Sequence, residues 1–543
     1  MASPPKPAIE HVDNMIHADI EALNDTTAKT AAQEGHSATD KYGHSLVKYD
    51  AQAERRLRLK IDLYIIPTVA ILYMFCFIDR ANIGKFPLCV SRSLRFRLRS
   101  RVQLGGLSLT RSLGNARLAG LEADLGMKGY DYNIVITMFY ISYIIFEIPS
   151  NLLCKWIGPG WFLPTATLLF GIASLGTAFV NNLPQVSGVR FILGVFEAGM
   201  LPGIAYYLSR WYRRSELVFR LSLYIVMAPL AGAFGGLLAS AILSLDHFGG
   251  LRRWRMIFAI EGIITIGLAL ISYLTLTDRP ETARWLSQEE KDLAISRVKS
   301  ERVGVTEVLD KMDKIKIRRG ILSPVTLSTS VIFLFNNITV QGLAFFAPTI
   351  VRSIYTNHTI IQQQLFTVPP YIVGAFFTVL FPWISWRIDR RQIFFMICAP
   401  MGMLGYCMFL GSTNQSVRYA ATFFIASACF ATGALTNAQV SANVVSDTAR
   451  SAAIGMNVMM GNIGGLISSW SFLPGDGPNY HIGNGLNLAT NGTVLLLSIA
   501  TLIWMKRDNK RRDTWNVDEE LRGLSEQQIA DLDWKHPAFR WKP

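Results

Sequence analysis

Residues 61–83 read IDLYIIPTVAILYMFCFIDRANI, an apolar run that closes on two ionisable residues, Asp79 and Arg80. A helix needs roughly 20 consecutive apolar residues to cross the hydrocarbon core of a bilayer, so this run predicts a transmembrane span. Residues 1–60 are polar and lack the short apolar core of a cleavable signal peptide. The first span is therefore expected to act as the insertion signal itself.

Runs of this kind recur along the 543 residues and predict a polytopic, all-α membrane protein. Half the residues are apolar and only 17% are charged, whereas an average soluble chain has about 25% charged residues. Twelve spans are predicted, at about 61–83, 132–155, 161–180, 185–209, 217–243, 256–277, 326–351, 365–387, 392–410, 417–445, 450–473 and 487–505.

The spans fall six and six around a hydrophilic segment that is rich in Lys, Arg, Asp and Glu. The predicted organisation is a tail at 1–60, a six-helix bundle at 61–277, a central loop at 278–325, a second bundle at 326–505 and a tail at 506–543. This arrangement is typical of the major facilitator fold, in which two halves enclose a site near the membrane midplane. Topology alone leaves open another twelve-span protein, such as a channel or a membrane enzyme.

Lys and Arg are concentrated in alternate connections, as the positive-inside rule requires of cytoplasmic loops. The connections near 181–184, 411–415 and 474–486 contain neither residue. The other connections hold Arg210, Arg213, Arg214, Arg220, the central loop, Arg387, Arg390, Arg391, Arg450, Lys506, Arg507, Lys510, Arg511 and Arg512. Both termini are therefore predicted to be cytoplasmic. The net charge of +14 follows from this topology and does not indicate a nucleic-acid partner.

The cysteine pattern and the absence of enzyme motifs exclude several classes of function. The six cysteines form no CxxC pair and no cluster with histidine, so neither a zinc site nor a disulfide framework is supported. The sequence also lacks a phosphate-binding glycine loop, a nucleophile elbow and a metal motif. We expect no enzymatic activity, no cofactor and no metal.

Ionisable residues within the spans mark a candidate site, because each costs at least about 2.5–3.5 kcal/mol to insert. All six lie in the first half: Asp79, Arg80, Glu147, Arg190, Glu197 and Glu261. No histidine lies inside a predicted span, so a carboxyl group would have to carry any coupled proton. Arg190 and Glu197 are two helical turns apart and share one face of span 4.

Two interpretations of these charges remain open. A guanidinium group can bind a substrate carboxylate through two hydrogen bonds, and a neighbouring carboxyl group can take up and release a proton. Asp79, Arg80 and Glu197 could instead form a fixed ion-pair network that holds spans 1, 2 and 4 together. Glu147 and Glu261 lie near predicted helix ends, where snorkelling or capping would explain them.

The second half offers uncharged polar side chains. Asn336, Asn337 and Gln341 lie in span 7 and Asn437 in span 10, with Gln439, Asn443, Asn457 and Asn462 as further candidates in spans 10 and 11. These amides could complete a site for a polar substrate, and interhelical hydrogen bonding is the alternative for each. The glycine-rich run at 461–465 predicts close helix packing.

Five stretches carry a family resemblance: DRANIG at 79–84, FEIPSN at 146–151, RFILGVFEAGMLPG at 190–203, LFTVPPY at 365–371 and SWRIDRR at 385–391. From about residue 55 to 515 the chain resembles the anion:cation symporter family of the major facilitator superfamily, and within it the fungal allantoate permease group. The resemblance implies residue roles. Asp79 and Glu197 are the proton-coupling pair, Arg80 contacts the substrate carboxylate, and Arg190 tunes Glu197.

The resemblance also identifies Asp389, Arg390 and Arg391 as part of the second-half copy of a cytoplasmic gating motif. The corresponding first-half loop, 155–159, lacks the acidic residue of that motif, as is similar across the permease group.

The resemblance implies proton-coupled uptake of a small organic anion by alternating access. The expected substrate is a carboxylate nutrient such as allantoate, nicotinate or pantothenate. The expected form is a monomer in the plasma membrane, with the anion, the proton and the lipid bilayer as its partners. An organellar carrier or exchanger of the same fold remains an alternative. So does a non-transporting nutrient sensor, although the predicted C-terminal tail of under 40 residues is short for a signalling tail.

Residues 85–114 depart from the family pattern, in which a segment like 115–125 follows DRANIG directly. The 30 intervening residues include six Arg, one Lys and no acidic residue, which opposes the positive-inside pattern for an outer loop. Codons for Gly84-Lys85, Leu109-Thr110 and Leu113-Gly114 can contain a splice donor, a branch point and an acceptor. We hypothesise a retained intron in the gene model, with a genuine basic outer loop as the alternative.

Overall fold

The computed structural model describes residues 50–83, 121, 124–128, 130–243, 245, 250–251, 254–299, 313–354, 366–471, 476, 479–525, 528–529 and 531–543. The twelve spans are, in order, Ala51–Ile83, Asp131–Ile157, Pro159–Thr177, Leu183–Glu197 with Met200–Trp211, Arg214–Ile225 with Met227–Leu243, Trp254–Thr275, Pro324–Ile354, Val368–Ile388, Gln392–Gly411, Gln415–Ala442, Asp447–Ser469 and His481–Arg512. The described residues contain no β-strand. The predicted all-α membrane fold is confirmed.

Span 11, Asp447–Ser469, differs from the other spans in polarity. Among the described residues, eleven helices are long and apolar enough to cross a membrane, and span 11 is not one of them. It is buried along most of its length between span 7 and span 2. A helix enclosed by other helices can carry polar side chains, because its neighbours supply the hydrogen-bond partners that lipid cannot.

The two six-helix bundles repeat one packing pattern. In the first bundle, span 1 packs on spans 5 and 6, span 2 on span 4, and span 3 on span 6. In the second bundle, span 7 packs on spans 11 and 12, span 8 on span 10, and span 9 on span 12. Each of these contacts in the first bundle thus has its counterpart six spans later. The bundles meet where span 2 lies against span 11 and where span 5 lies against spans 8 and 10.

The interface between the bundles depends on two glycines of the predicted close-packing run. A Cβ atom at Gly464 would lie 2.2 Å from the Leu334 carbonyl oxygen of span 7. A Cβ atom at Gly465 would lie 2.8 Å from the ring of Tyr140 of span 2. Span 11 therefore approaches a helix of its own bundle and a helix of the other bundle at the same level, which supports the packing role predicted for this run.

Large apolar side chains cover the outer surface of both bundles. Leu274 of span 6 is 85% exposed, and Leu496 of span 12 is 70% exposed. An apolar surface of this extent marks contact with a partner or a membrane. Together with the apolar helices, it identifies a multi-pass membrane protein.

The bundles share one end, here called the basic end, at which Lys155, Arg210, Arg390 and Lys506 lie. It is the end that the sequence predicts to face the cytoplasm. Segments outside the spans fold against it: the short helix Lys314–Ile321 packs on span 11, and two further segments pack one on each bundle.

The first of these segments belongs to the central loop. Its helix Gln288–Lys299 carries Arg297, whose fully buried guanidinium group lies 2.9 Å from the carboxylate of Glu216 in span 5. The nearby Trp285 ring stacks on Tyr64 of span 1, with ring centroids 4.3 Å apart. This part of the predicted central loop is thus a folded cap on the first bundle.

The second segment comprises residues 531–543 and is called the C-terminal segment. Trp541 is fully buried, and the Lys542 carbonyl oxygen accepts hydrogen bonds from the Gln439 and Asn443 side chains at 3.0 Å each. The backbone N–H of Arg391 donates to the Pro543 carbonyl oxygen at 2.9 Å. The predicted tail therefore includes a segment that packs on the second bundle.

Residues 85–114, the suspected intron product, lie outside the described residues. The helix of span 1 is described up to Ile83.

Candidate functional site: a central cavity and the charges behind it

A cavity of about 50 Å³ lies between the two bundles. The first bundle contributes mainly aromatic and aliphatic side chains, among them Tyr73 and Phe77 of span 1 and Tyr143 of span 2. A water molecule needs about 10–15 Å³ of such space, so the cavity can hold a few waters. It is far below the roughly 300–1,000 Å³ of a typical small-molecule pocket. The described residues thus leave little space between the bundles at this point.

The second bundle lines the same cavity with amides. Asn337 and Gln341 of span 7, Asn437 of span 10 and Asn462 of span 11 contribute to its wall. Among the described lining residues none is charged. Asn437 Oδ1 accepts a hydrogen bond of 3.1 Å from Asn457 Nδ2, which fixes the orientation of the Asn437 amide.

Three of the four predicted substrate-contacting amides thus reach the cavity, and Asn336 does not. Its Nδ2 donates to the Cys429 carbonyl oxygen of span 10 at 3.0 Å, as interhelical packing requires. Gln439 and Asn443, further candidates from the sequence, bind the C-terminal segment instead.

Asp79, Ser174 and Arg190 form a buried polar cluster inside the first bundle. Asp79 Oδ1 accepts a hydrogen bond of 2.6 Å from Ser174 Oγ of span 3, and its Oδ2 lies 3.4 Å from Arg190 Nη1 of span 4. The Arg190 guanidinium group also lies over the Phe258 ring of span 6, 5.1 Å from its centroid. Asp79 and Arg190 are 4% and 2% exposed. The cluster therefore connects spans 1, 3, 4 and 6.

Glu197 lies on span 4, as Arg190 does, and its partner Cys76 lies on span 1, as Asp79 does. Its Oε1 accepts a hydrogen bond of 2.8 Å from Cys76 Sγ, and the residue is fully buried. Span 4 breaks directly after Glu197, with two turn residues before the helix resumes at Met200. Phe77, the residue after Cys76 in span 1, lines the cavity, whereas Glu197 is not among its described lining residues.

Glu147 links the two bundles, although we predicted only a capping or snorkelling role for it. It lies ten residues before the end of span 2, is fully buried, and accepts a hydrogen bond of 3.1 Å from Asn462 Nδ2. The helix-end explanation is therefore wrong for Glu147. The available signal was its distance of eight residues from the predicted end at 155, which is about two helical turns. Glu261 is buried as well, in span 6.

The backbone of Arg80 belongs to the span 1 helix, one residue after Asp79. Its side chain lies outside the described residues, so its predicted contact with a substrate stays a prediction.

The bundles are joined at the basic end by an ion pair. Lys155 Nζ, at the end of span 2, lies 3.5 Å from Asp447 Oδ2, in the first turn of span 11. Tyr206 of span 4 donates a hydrogen bond of 2.8 Å to the same carboxylate. A carboxylate is also favoured at this position because the N-terminus of a helix carries partial positive charge.

The acidic residue missing from the first-half gating loop is replaced in space by Asp278. This residue follows span 6, and its Oδ1 lies 3.2 Å from Arg210 Nη1 and 3.5 Å from the backbone N–H of Gly160. The contacts of Asp278 stay within the first bundle, whereas those of Asp447 cross between the bundles.

The second-half motif makes contacts of its own. Asp389 has a left-handed backbone, with φ of 48°, and ends the span 8 helix. Its carboxylate lies 2.8 Å from Arg391 Nη2 and 3.7 Å from Lys542 Nζ of the C-terminal segment. Arg390 is exposed at the basic end. The gating role predicted for Asp389, Arg390 and Arg391 stays a prediction.

The chain matches the sequence profile of the Major Facilitator Superfamily over residues 107–469. An uncharacterized transporter of Schizosaccharomyces pombe is 30% identical over 498 residues, which is 91% of this chain and 91% of that protein. The high-affinity nicotinic acid transporter of Saccharomyces cerevisiae is 28% identical over 492 residues, covering 90% of this chain and 85% of that protein.

Solved structures agree in fold. A proton:xylose symporter bound to 6-bromo-6-deoxy-D-glucose has a TM-score of 0.57 at 17% identity, covering 82% of this chain and 96% of that one. A bacterial homolog of the human lysosomal transporter Spinster, in an inward-facing and unoccupied conformation, has a TM-score of 0.53 at 15% identity. It covers 83% of this chain and 98% of that one.

Proposed function

This chain belongs to the major facilitator superfamily and is a transporter rather than an enzyme, and from that premise we propose that it takes up a small carboxylate-bearing nutrient together with a proton. The site of action is the plasma membrane, with the basic end and both termini in the cytoplasm. Transport proceeds by alternating access, in which the two bundles open in turn toward each side of a fixed central site.

The observation that carries the proton-coupling proposal is the number of buried carboxyl groups. The six ionisable residues that mark the candidate site are four acids and two arginines: Asp79, Glu147, Glu197, Glu261, Arg80 and Arg190. The four acids are each at most 4% exposed. A carboxyl group inside a membrane span is costly, so we place the coupled proton on this set of acids. This excess of acids supports a proton as the coupling ion.

Among these acids, Asp79 and Glu197 are the best placed to couple a proton to the substrate. Asp79 pairs with Arg190, and Glu197 accepts a hydrogen bond from Cys76. Each of these contacts joins span 1 to span 4, so a movement of span 1 would change both. Span 1 also carries Phe77 in the cavity wall. A substrate that moves span 1 would therefore change the surroundings of both carboxyl groups in one step. Arg190 tunes Glu197 from the same helix face.

The substrate class follows from the remaining groups. Arg80 would bind the carboxylate, and Asn337, Gln341 and Asn437 would bind the polar body of the substrate through directed hydrogen bonds. The similarity to a nicotinic acid transporter supports a small aromatic or polar acid as the substrate. In this proposal Asn336 does not touch the substrate but positions the site, because it holds span 7 against span 10.

The test is a transport assay in fungal cells that lack their own organic-anion importers. Matched pairs of acids and neutral amides, such as nicotinate and nicotinamide, differ only in the group that Arg80 would bind. We expect uptake of at least one acid, no uptake of its neutral partner, and loss of accumulation when a protonophore removes the proton gradient. Equal uptake of acid and amide would overturn the substrate class. Accumulation that survives the protonophore would overturn the coupling.

The location of a fluorescently tagged chain separates plasma-membrane import from organellar exchange.

We further propose that the mature protein lacks residues 85–114. Their removal joins Gly84 to Asn115, which restores the family junction directly after the Asp79–Arg80 pair. Sequencing of the transcript decides the point. A spliced message without these 30 codons supports the proposal, and a uniformly unspliced message refutes it. The transport assay should therefore be run on both forms.

A further inference from the structure

A second cavity, of about 480 Å³, lies at the basic end between span 8, span 12 and the C-terminal segment. Five cationic residues contribute to its lining: Arg390, Lys506, Lys510, Arg540 and Lys542. The carboxylates in the lining are those of Asp389 and Asp513. This cavity is about ten times larger than the central one and has a strongly positive lining, and the transport mechanism makes no use of it.

Two of the five cations already have carboxylate partners. Arg540 Nε lies 3.0 Å from Asp513 Oδ1, and Lys542 Nζ lies 3.7 Å from Asp389 Oδ2. In the part of the chain that the structure describes, no ion pair involves the other three cations, Arg390, Lys506 and Lys510. The carboxylates of Asp389 and Asp513 are thus already paired with Lys542 and Arg540. The excess of positive charge comes from Arg390 at the end of span 8 and from Lys506 and Lys510 at the end of span 12.

The spacing of the two lysines concentrates this charge. Lys506 and Lys510 are four residues apart in the span 12 helix, so they project from one face of it. Two like charges at this spacing repel each other and destabilise the helix slightly. An anion bound between them would remove the repulsion and would also meet the guanidinium group of Arg390, which can donate two parallel hydrogen bonds to phosphate oxygens.

Tryptophans place the cavity at the level of the lipid head groups. Trp504, two residues before Lys506, is 38% exposed on span 12, and Trp383 is 40% exposed on span 8. Trp541 lines the cavity and lies 5.4 Å from Trp504 between ring centroids. Tryptophan is enriched at the boundary between hydrocarbon and water. The cavity therefore opens beside the polar surface of a bilayer leaflet.

We propose that this cavity binds the phosphorylated head group of an anionic phospholipid. Basic pockets beside transmembrane helices on the cytoplasmic side bind such head groups, and each lysine or arginine near the surface contributes about tenfold or less to the affinity. The phosphate would lie between Lys506 and Lys510 and contact Arg390, while the acyl chains would lie along the apolar faces of spans 8 and 12. The lipid would thereby tie the C-terminal segment to both spans.

The test uses the full chain, purified in detergent, and native mass spectrometry with short-chain phosphatidylinositol 4-phosphate or phosphatidylcholine. The variant is Lys506→Gln with Lys510→Gln. The matched control is Arg507→Gln with Arg511→Gln, which removes the same charge from the same helix at the same spacing but outside the cavity lining. We expect the wild-type chain to prefer the phosphoinositide. We expect the lysine variant to bind it roughly 10- to 30-fold more weakly, and the arginine control to bind it within about twofold of wild type.

Three results would overturn the proposal. Equal weakening by both double variants would mean that lipid responds to general surface charge. Binding of phosphatidylcholine as tight as that of the phosphoinositide would exclude recognition of the head group. Binding of soluble inositol 1,4-bisphosphate as tight as that of the lipid, lost in the same lysine variant, would identify a free phosphate compound as the ligand. Because none of these readouts involves transport, failure here is distinguishable from failure of the proposed substrate or coupling.

Discussion

The two bundles share a fold but bury polar groups of different kinds. In the first bundle, Asp79, Arg190 and Glu197 contact other residues of spans 1, 3, 4 and 6, while Glu147 reaches the second bundle. The second bundle carries the buried charges Asp447 and Arg450 in the first turn of span 11 and presents amides to the cavity, with Asn337 and Asn437 among them. A charge in a membrane protein is costly and needs nearby partners, whereas an amide can face either a helix or a substrate.

Under the proposed function, this difference is a division of labour between the bundles. The carboxyl groups proposed to exchange the proton, Asp79 and Glu197, are not among the described residues that line the cavity, and span 1 connects them to it through Phe77. The amides proposed to recognise uncharged parts of the substrate line the cavity directly. Changes in the first bundle should therefore alter whether the substrate accumulates, and changes in the second bundle should alter how tightly it binds.

The largest effect is expected for Arg80→Ala, because Arg80 is the one first-bundle charge proposed to touch the substrate. Loss of a paired, charge-assisted contact to a carboxylate costs several kcal/mol, so uptake should fall about 100-fold or more. The measurement is initial uptake, normalised to the amount of protein at the cell surface. Arg80→Lys serves as the control: it keeps the charge, loses the fork geometry, and should retain partial activity. Uptake by Arg80→Ala within a few-fold of wild type would remove Arg80 from the binding site.

The next effect tests coupling. Glu197→Gln keeps the size of the side chain but cannot lose a proton, so the variant should exchange substrate across the membrane without accumulating it against a gradient. Glu261→Gln is the matched control, since it removes another buried carboxyl group of the first bundle and should leave accumulation intact. Counterflow and net uptake in reconstituted vesicles separate the two behaviours. Normal accumulation and pH dependence in Glu197→Gln would transfer the coupling role to Asp79 alone.

The sequence predicted most of this architecture because lipid imposes simple rules. Apolar runs must span the bilayer, and buried charges must have partners, so the twelve spans and the six ionisable positions could be found without a structure. Span 11 was found from its length and position, although it is the most polar of the twelve. The partner of Arg190 was not predicted: the sequence paired Arg190 with Glu197 on one helix face, whereas its guanidinium group lies 3.4 Å from Asp79.

Contacts between distant parts of the chain could not be predicted in this way. Glu147 was interpreted as a helix-end residue because its partner, Asn462, is 315 positions away and carries no charge. The burial of Trp541 was missed because the tail has no apolar run, and only the folded second bundle offers a surface for it. Among the amides, only the rotation of span 7 decides that Asn337 faces the cavity while Asn336 faces span 10.

That neighbouring pair provides a sharper test of the division of labour. Asn337→Ala should raise the KM for uptake about 3- to 10-fold, since one hydrogen bond to the substrate contributes roughly 0.5–1.5 kcal/mol. It should also lower the unfolding temperature, because Asn337 Nδ2 donates to the Gly461 carbonyl oxygen of span 11. Asn336→Ala removes the bond to the Cys429 carbonyl oxygen, so it should lower the unfolding temperature in detergent without a change in KM. Neither variant should alter the dependence of accumulation on the proton gradient. Uncoupling in Asn337→Ala would break the separation between the two bundles.

The smallest effect is expected where the bundles meet. Asp447→Asn keeps an oxygen that can accept the Tyr206 hydroxyl hydrogen bond, but it removes the charge that pairs with Lys155 across the interface. Other contacts also hold the basic end closed, among them the stacked rings of Phe219 and Trp386, 5.4 Å apart, so closure should weaken without being lost.

We expect uptake by Asp447→Asn to fall two- to fivefold. We also expect the buried thiol of Cys154, at the end of span 2, to react faster with a permeable maleimide. Asp278→Asn is the control, because Asp278 contacts Arg210 and Gly160, both in the first bundle. If both variants expose Cys154 equally, the ion pair does not hold the bundles together. Closure would then depend on the aromatic contacts between spans 5 and 8.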